Sequence, residues 1–168
     1  MRELSRLEEE LGERGFMRDS FENVICRFRL WDILVDVMST SEVGCASSNS
    51  WFKSGMKHLR KVDAGGIEIN ILDTPHFPAT KFEAYSGRGQ NDPRTSPDFE
   101  DIVYIVDNNI GFIEEVLNAP PEVRTYLVKR FGEITESPSM QEAPEAHLPY
   151  QTRAGRIAVI NDKLRKIT

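Results

Sequence analysis

The sequence predicts an α+β fold, in which a small mixed or antiparallel sheet with flanking helices is followed by a helical C-terminal part. Two runs rich in β-branched and aromatic residues, at 23–30 and 32–38, indicate strands, whereas helical periodicity dominates after Pro75. The 168 residues, of which 39% are hydrophobic, suffice for one core. We therefore expect an α/β section at residues 1–73 and a helical section at 74–168 packed on it, together forming one compact unit.

The first elements follow from local periodicity. Leucines at positions 4, 7 and 11, set among glutamates, predict an amphipathic helix that ends near Gly12 to Gly15. The runs NVICRFRL and DILVDVM, separated by little more than Trp31 and Asp32, predict a hairpin.

A second hairpin is expected between residues 57 and 72. Its two apolar runs flank the sequence Asp63-Ala64-Gly65-Gly66, and glycine readily takes the positive φ that hairpin turns demand. The preceding run WFKSGM favours a short helix or a turn.

Helices are predicted for most of the chain after Asp73. Asp73-Thr74-Pro75 is typical of a helix cap followed by proline in the first turn, and this helix extends to Arg88. Another helix begins at Ser96, and a last one covers about 152–167. A later apolar stripe at helical spacing comprises Val123, Leu127, Phe131 and Ile134. The prolines between residues 137 and 149 predict a loop or a broken helix.

The run ATKFEAYSGRGQNDPRTSPDFEDI carries a dense set of charged side chains and is the strongest candidate for a functional site. On a helix, Lys81, Tyr85 and Arg88 share one face, because they recur at steps of four and three residues. Asp98 and Asp101 lie about one turn apart on the next helix. Two cations and two carboxylates could therefore meet across the intervening loop, either as a phosphate-binding site or as solvated ion pairs of small energy.

Asp36 is the second candidate, because it lies among apolar residues of a predicted strand. An ionised carboxylate in that position is costly unless it is paired, solvated or bound to a cation. Either its face of the sheet is exposed to water, or Asp36 is a ligand for a metal ion or a substrate.

Charge and composition narrow the classes of function. The net charge of −6 argues against broad contact with a nucleic-acid backbone. Cys26 and Cys45 lack the spacing of metal ligands, and the pair is poor evidence for a disulfide. The charged opening MRELSRLEEEL does not fit a signal peptide, and no apolar run is long enough to cross a membrane. We expect a cytoplasmic protein with no membrane partner.

Three runs, in the order VDVMST, ATKFEAYSGRG and SPDFEDIVYIVD, resemble a known family. They are similar to the nucleotidyltransferase-fold proteins related to AbiEii, the toxin class of type IV toxin-antitoxin systems, within the DNA polymerase β-like superfamily. The resemblance spans about Leu7 to Val128. It implies an enzyme in which two magnesium or manganese ions help a hydroxyl to attack the α-phosphate of a nucleoside triphosphate.

The resemblance also implies roles for individual residues. Asp36 is similar in position to the third carboxylate of the family's metal site and would be a catalytic metal ligand. Lys81 matches the lysine of the family's K-x-x-A helix motif, with Ala84 in place, and would be catalytic and bind phosphates together with Arg88. Three further residues would support these cations: Tyr85, Asp98 and Asp101.

The chain departs from the family pattern at the metal site. Family members carry a Gly-Gly or Gly-Ser turn and a strand with an Asp-x-Asp pair upstream of the segment similar to LEEELGERGF, and no Asp-x-Asp occurs in this sequence. The sequence Gly65-Gly66-Ile67-Glu68-Ile69-Asn70 echoes that motif but falls at the second hairpin. Because magnesium sites rely on more than one carboxylate, we expect an N-terminally incomplete nucleotidyltransferase-like fold with impaired transfer.

The sequence is therefore compatible with two functions. The first is transfer of a nucleotide from a nucleoside triphosphate to an RNA or protein hydroxyl. The second is a non-catalytic binding or interaction module of the same fold, in a toxin-antitoxin or phage-defence setting. Since bare sheet edges invite pairing, we expect an antitoxin or a second copy of the chain to cover an edge.

Overall fold

The computed structural model describes residues 2–19, 27–38, 40, 49–88 and 92–168. These residues form eight helices and two small antiparallel sheets, which confirms the α+β class. The sequence predicted one sheet, whereas the described strands form two, because each hairpin pairs only within its own sheet. The chain divides into two compact units, Met1–Ser48 and Asn49–Thr168. The predicted division at residue 73 stays a prediction.

The described part of the first unit contains a helix and a three-stranded antiparallel sheet of order β1-β2-β3. Its elements are α1 (Arg2–Glu13), β1 (Met17–Arg18), β2 (Arg27–Leu30) and β3 (Ile33–Asp36). Helix α1 ends close to the predicted position, where Gly15 takes a φ of 88° and the N–H of Phe16 bonds to the carbonyl of Leu11 at 3.0 Å. Leu7 and Leu11 are partly buried, as the predicted apolar stripe requires.

The predicted hairpin forms around a tight turn at Trp31 and Asp32. Its strands pair with Leu30 opposite Ile33 and Arg27 opposite Asp36. Trp31 takes a φ of 54°, because a turn this short needs a left-handed residue. The upstream part of the predicted strand, including Cys26, lies outside the described residues, as does Cys45.

The second unit contains the other hairpin and most of the helices. Its elements are α2 (Ser50–Gly55), β4 (Leu59–Asp63), β5 (Glu68–Leu72), α3 (His76–Gly87), α4 (Pro97–Asn108), α5 (Phe112–Leu117), α6 (Pro121–Glu136), α7 (Pro138–Ala146) and α8 (Arg153–Ile167). The predicted turn is confirmed, with φ values of 68° at Gly65 and 89° at Gly66. Strands β4 and β5, which the sequence placed in the section 1–73, belong to the same compact unit as the helices.

The core of the second unit lies between α3, α4, α6 and α8. Phe131 of α6 is at its centre, with its ring 5.2 Å edge-on from Phe82 and 5.7 Å from Phe112. The stripe predicted for α6 is buried along its whole length: Val123, Leu127, Phe131 and Ile134. Full burial of each such side chain contributes about 1.5–3 kcal/mol.

Side chains satisfy backbone groups at both ends of α4. The hydroxyl of Ser96 accepts the N–H of Phe99 at the start of α4, as predicted, and Pro97 follows it. At the other end of α4, Lys163 of α8 donates to the carbonyls of Val106 and Asn109 at 2.7 and 2.8 Å. Burial lowers the pKa of Lys163, opposed by the nearby Asp107.

The segment at residues 137–149, which contains three prolines, is largely helical. Pro138 occupies the first turn of α7, where its missing N–H costs nothing, and Pro144 lies inside the helix, near its end. Of the two predicted alternatives, the broken helix is therefore closer to the structure than the loop.

None of the described helices combines the length and the apolar character needed to cross a bilayer. The expected covering of a sheet edge by another chain stays a prediction.

Gly55 permits the close approach of α2 to α3 and β5. A Cβ atom at this position would lie 2.6 Å from Leu72 Cδ2 and 3.2 Å from His76 Cβ. We expect Gly55→Ala to lower the free energy of unfolding by about 1 kcal/mol, because the steric cost exceeds the gain in helix propensity. Urea denaturation measures this change.

Gly132→Ala is the matched control, since a Cβ on this glycine of α6 meets no atom within 4 Å. It should be neutral or stabilise the protein by up to about 1 kcal/mol. Equal effects of the two substitutions would contradict the close-approach argument.

Candidate functional site

The charge cluster consists of Lys81 on α3, Arg88 directly after the end of α3, and Asp98 and Asp101 on α4. The structure brings these side chains together as the sequence predicted. Lys81 Nζ lies 2.6 Å from Asp101 Oδ2 and 3.9 Å from Asp98 Oδ1. Arg88 Nη1 lies 3.0 Å from Asp98 Oδ2. The two cations therefore flank one carboxylate, and a second carboxylate braces the lysine from the next turn of α4.

The two carboxylates of the charge cluster differ in how deeply they are buried. The side chain of Asp98 is 6% exposed, in the first turn of α4 where a helix favours negative charge. That of Asp101 is 44% exposed. Asp98 is thus a fixed, buried part of the packing between α3 and α4, whereas Asp101 lies at the surface.

The two cations keep part of their donor capacity. The Lys81 side chain is 28% exposed and its ammonium lies 5.5 Å above the ring of Phe77. The Arg88 side chain is 65% exposed and touches Asp98 through one end of its guanidinium. Since an ammonium has three donors and a guanidinium five, both groups retain N–H bonds for an added anion. The loop residues 89–91, predicted to flank Arg88, lie outside the described residues.

Tyr85 lies on the same face of α3 as the two cations but is buried. Its ring centroid is 5.9 Å from that of Phe99 on α4. Burial raises the pKa of the Tyr85 phenol, the charge of Asp92 raises it further, and Arg130 opposes both. The phenol is therefore neutral at neutral pH. The contact described for its ring is with Phe99, and the predicted support of the cations by Tyr85 stays a prediction.

Asp36 forms a bidentate ion pair with Arg27, the residue opposite it in the sheet of the first unit. Arg27 Nε donates to Oδ1 at 2.7 Å and Nη2 donates to Oδ2 at 2.9 Å. These hydrogen bonds lower the pKa of the Asp36 carboxyl, against a smaller effect of burial. The side chain is 41% exposed, so it is both paired and in contact with water.

Asp36, the predicted metal ligand, is engaged by an arginine in the structure. Both carboxylate oxygens accept hydrogen bonds from Arg27. Across the residues that the structure describes, no group of three or more His, Cys, Asp or Glu side chains is arranged to hold a metal ion. The metal role of Asp36 stays a prediction, as does its catalytic role.

The structure also reveals a hydrogen-bonded chain that the sequence did not indicate: Ser54, His76 and Asp73. His76 Nδ1 lies 2.6 Å from Asp73 Oδ1, and its Nε2 lies 3.1 Å from Ser54 Oγ. Asp73 also accepts the backbone N–H of His76 at 3.1 Å. The step of three residues from Asp73 to His76 at a helix start was the available signal, but Ser54 is 22 positions away and reaches His76 only through packing of α2 on α3.

No family model, curated protein or solved structure matches this chain. The resemblance to nucleotidyltransferase-fold proteins therefore stays a prediction.

We expect Asp98→Ala to lower the free energy of unfolding by about 1–3 kcal/mol, because it removes a buried acceptor for a charged group and a favourable charge at a helix start. Asp101→Ala is the matched control and should cost less than about 1 kcal/mol, as exposed ion pairs do. Urea denaturation of both variants would reveal similar small losses if the charge cluster were only a solvated surface.

The Arg27–Asp36 pair should make stability depend on pH in the acid range. Because the pKa of Asp36 is lowered in the folded state, the pair stabilises the fold above the ordinary carboxyl pKa, and this contribution is lost as the pH falls through the folded-state value. Arg27→Gln should return the Asp36 pKa toward its usual range. Carbon NMR titration of the Asp36 carboxyl measures the change, and Lys61→Gln, which breaks another cross-strand pair, should leave it unaltered.

Proposed function

We propose that this chain is a nucleotidyltransferase-like protein whose charge cluster binds the phosphates of a nucleoside triphosphate. One observation carries the proposal: two partly exposed cations, Lys81 and Arg88, converge on the buried carboxylate of Asp98. A buried carboxylate between two cations holds them close together, while both cationic side chains keep contact with water. This arrangement suits a polyanion that contacts both cations together.

The ion pairs within the charge cluster are compatible with phosphate binding. Lys81 and Asp101 form a contact that is partly exposed on both sides, and such pairs contribute little net energy. A phosphate group can therefore replace or share this contact at small cost. Asp98 stays in place, because its burial leaves it no solvated alternative.

Transfer of the nucleotide to an RNA or protein hydroxyl is the enzymatic form of this proposal, with Asp36 as the inferred metal ligand and Mg²⁺ or Mn²⁺ as cofactor. The pairing of Asp36 with Arg27 favours the second candidate, a binding or interaction module without transfer. A toxin-antitoxin or phage-defence setting is proposed for either form, with an antitoxin or a second copy of the chain as partner.

Calorimetry with nucleoside triphosphates tests the binding step. We expect Lys81→Gln and Arg88→Gln each to weaken nucleotide binding about tenfold or more, since each removes charge-assisted hydrogen bonds to phosphate. Lys129→Gln removes the same charge from an exposed position on α6 and should leave the affinity unchanged. Absence of binding by the folded wild-type protein would overturn the proposal.

Incubation with α-labelled nucleoside triphosphates, magnesium and total RNA separates the two forms. Label transferred to RNA or protein, and lost in Asp36→Ala, would establish the enzyme and exclude the pure binding module. Nucleotide binding without any transfer would establish the binding module instead.

A further inference from the structure

The hydrogen-bonded chain of Ser54, His76 and Asp73 has the order of a nucleophile, a base and an orienting carboxylate. We propose that Ser54 is an activated nucleophile that accepts acyl groups from small activated esters. The chain lies where α2 packs on the start of α3, away from the α3 face that carries the charge cluster. The proposal is therefore independent of nucleotide binding.

Asp73 determines which nitrogen of His76 carries the proton. Its Oδ1 accepts the backbone N–H of His76 and lies 2.6 Å from Nδ1, so that oxygen acts as an acceptor and Nδ1 as the donor. The neutral imidazole then presents a lone pair on Nε2 to Ser54 Oγ, 3.1 Å away. In this tautomer His76 can remove the hydroxyl proton of Ser54.

The surroundings hold the base still and leave the nucleophile accessible. His76 is fully buried, and its ring stacks on His58 with centroids 5.2 Å apart and an angle of 14° between the planes. Ser54 lies near the end of α2 and is partly exposed. Gly55 allows this approach, because a Cβ there would come within 3.2 Å of His76 Cβ. The base is therefore enclosed, whereas the residue that carries the nucleophile is partly exposed.

A surface groove of about 490 Å³ is lined by Asp73, the carboxylate of this chain, and by His58, whose ring stacks on His76. Its remaining walls are mainly apolar and include Pro75 and Pro120, with Glu115 at one side. A volume of this size accommodates a small organic molecule, which suits an ester with a compact aromatic leaving group.

The proposed reaction is acyl transfer in two steps. Ser54 Oγ attacks the ester carbonyl carbon while its proton moves to His76 Nε2, and the carbon–oxygen bond to the leaving group breaks with the proton returning to that oxygen. Acyl-Ser54 and an alcohol or phenol result. Water then attacks the acyl carbon, gives a proton to Nε2, and releases the carboxylic acid as Ser54 regains its hydrogen.

A stopped-flow assay with 4-nitrophenyl acetate, without nucleotide, tests the proposal. We expect a burst of nitrophenol approaching one equivalent per chain, with the acetyl group on the peptide that contains Ser54. Ser54→Ala should abolish the burst. Ser50→Ala should retain it, because the Ser50 hydroxyl, on the same helix, bonds to Glu83 instead of a histidine. Acetylation of lysines alone, or a burst that survives Ser54→Ala, would overturn the proposal.

The roles of His76 and Asp73 need separate variants. His76→Gln should slow acylation about 100-fold or more, the contribution typical of a general base. Since a buried histidine also affects folding, Asp73→Asn provides the second variant, because asparagine can still cap α3. Nitrogen NMR of His76 should show the proton on Nδ1 in the wild type and a mixture of tautomers in Asp73→Asn, with acylation slowed about tenfold or more. An unchanged acylation rate in a folded Asp73→Asn variant would contradict the proposal.

Discussion

Helix α3 must bury several of its sides at once, and the arrangement of the second unit depends on this constraint. It packs against α2, α4 and α6, so it has no single polar face on which its charged side chains could all be solvated. The partly buried charges of α3 therefore pair with groups on the neighbouring helices. Lys81 and Arg88 find Asp98 on α4, and the carboxylate of Glu83 accepts the N–H of Ser50 at the start of α2. The contacts that pack α3 against its neighbours are therefore also the contacts that pair its charges.

Two sides of α3 carry different chemistry because they differ in burial. On the α4 side, the two cations remain partly exposed, so that their ion pairs are in contact with water. On the α2 side, His76 is sealed from water and its partners are fixed, which suits the movement of a proton over a short distance. One helix of twelve residues thus contributes Lys81 to the charge cluster and the buried His76 to the hydrogen-bonded chain.

Features set by local signals were predictable from the sequence. Pro75 marks the start of α3, and the Ser96-Pro97 cap marks the start of α4. The convergence of the charge cluster follows from helical spacing across a short connection. Features set by register or packing were not predictable. The pairing of Arg27 with Asp36 depends on a two-residue turn with a left-handed tryptophan, and the reach of Ser54 to His76 depends on how closely two helices approach.

The ammonium of Lys163 has a consequence for the order in which the second unit assembles. The carbonyl oxygens that it satisfies at the end of α4 lie 54 to 57 positions earlier in the chain. During synthesis, α4 therefore emerges long before its cation does, and its C-terminal turn must rely on water until α8 arrives. This unit is therefore complete only after α8 has been made, and a chain that stopped before α8 would leave the end of α4 without the cation that its carbonyls contact.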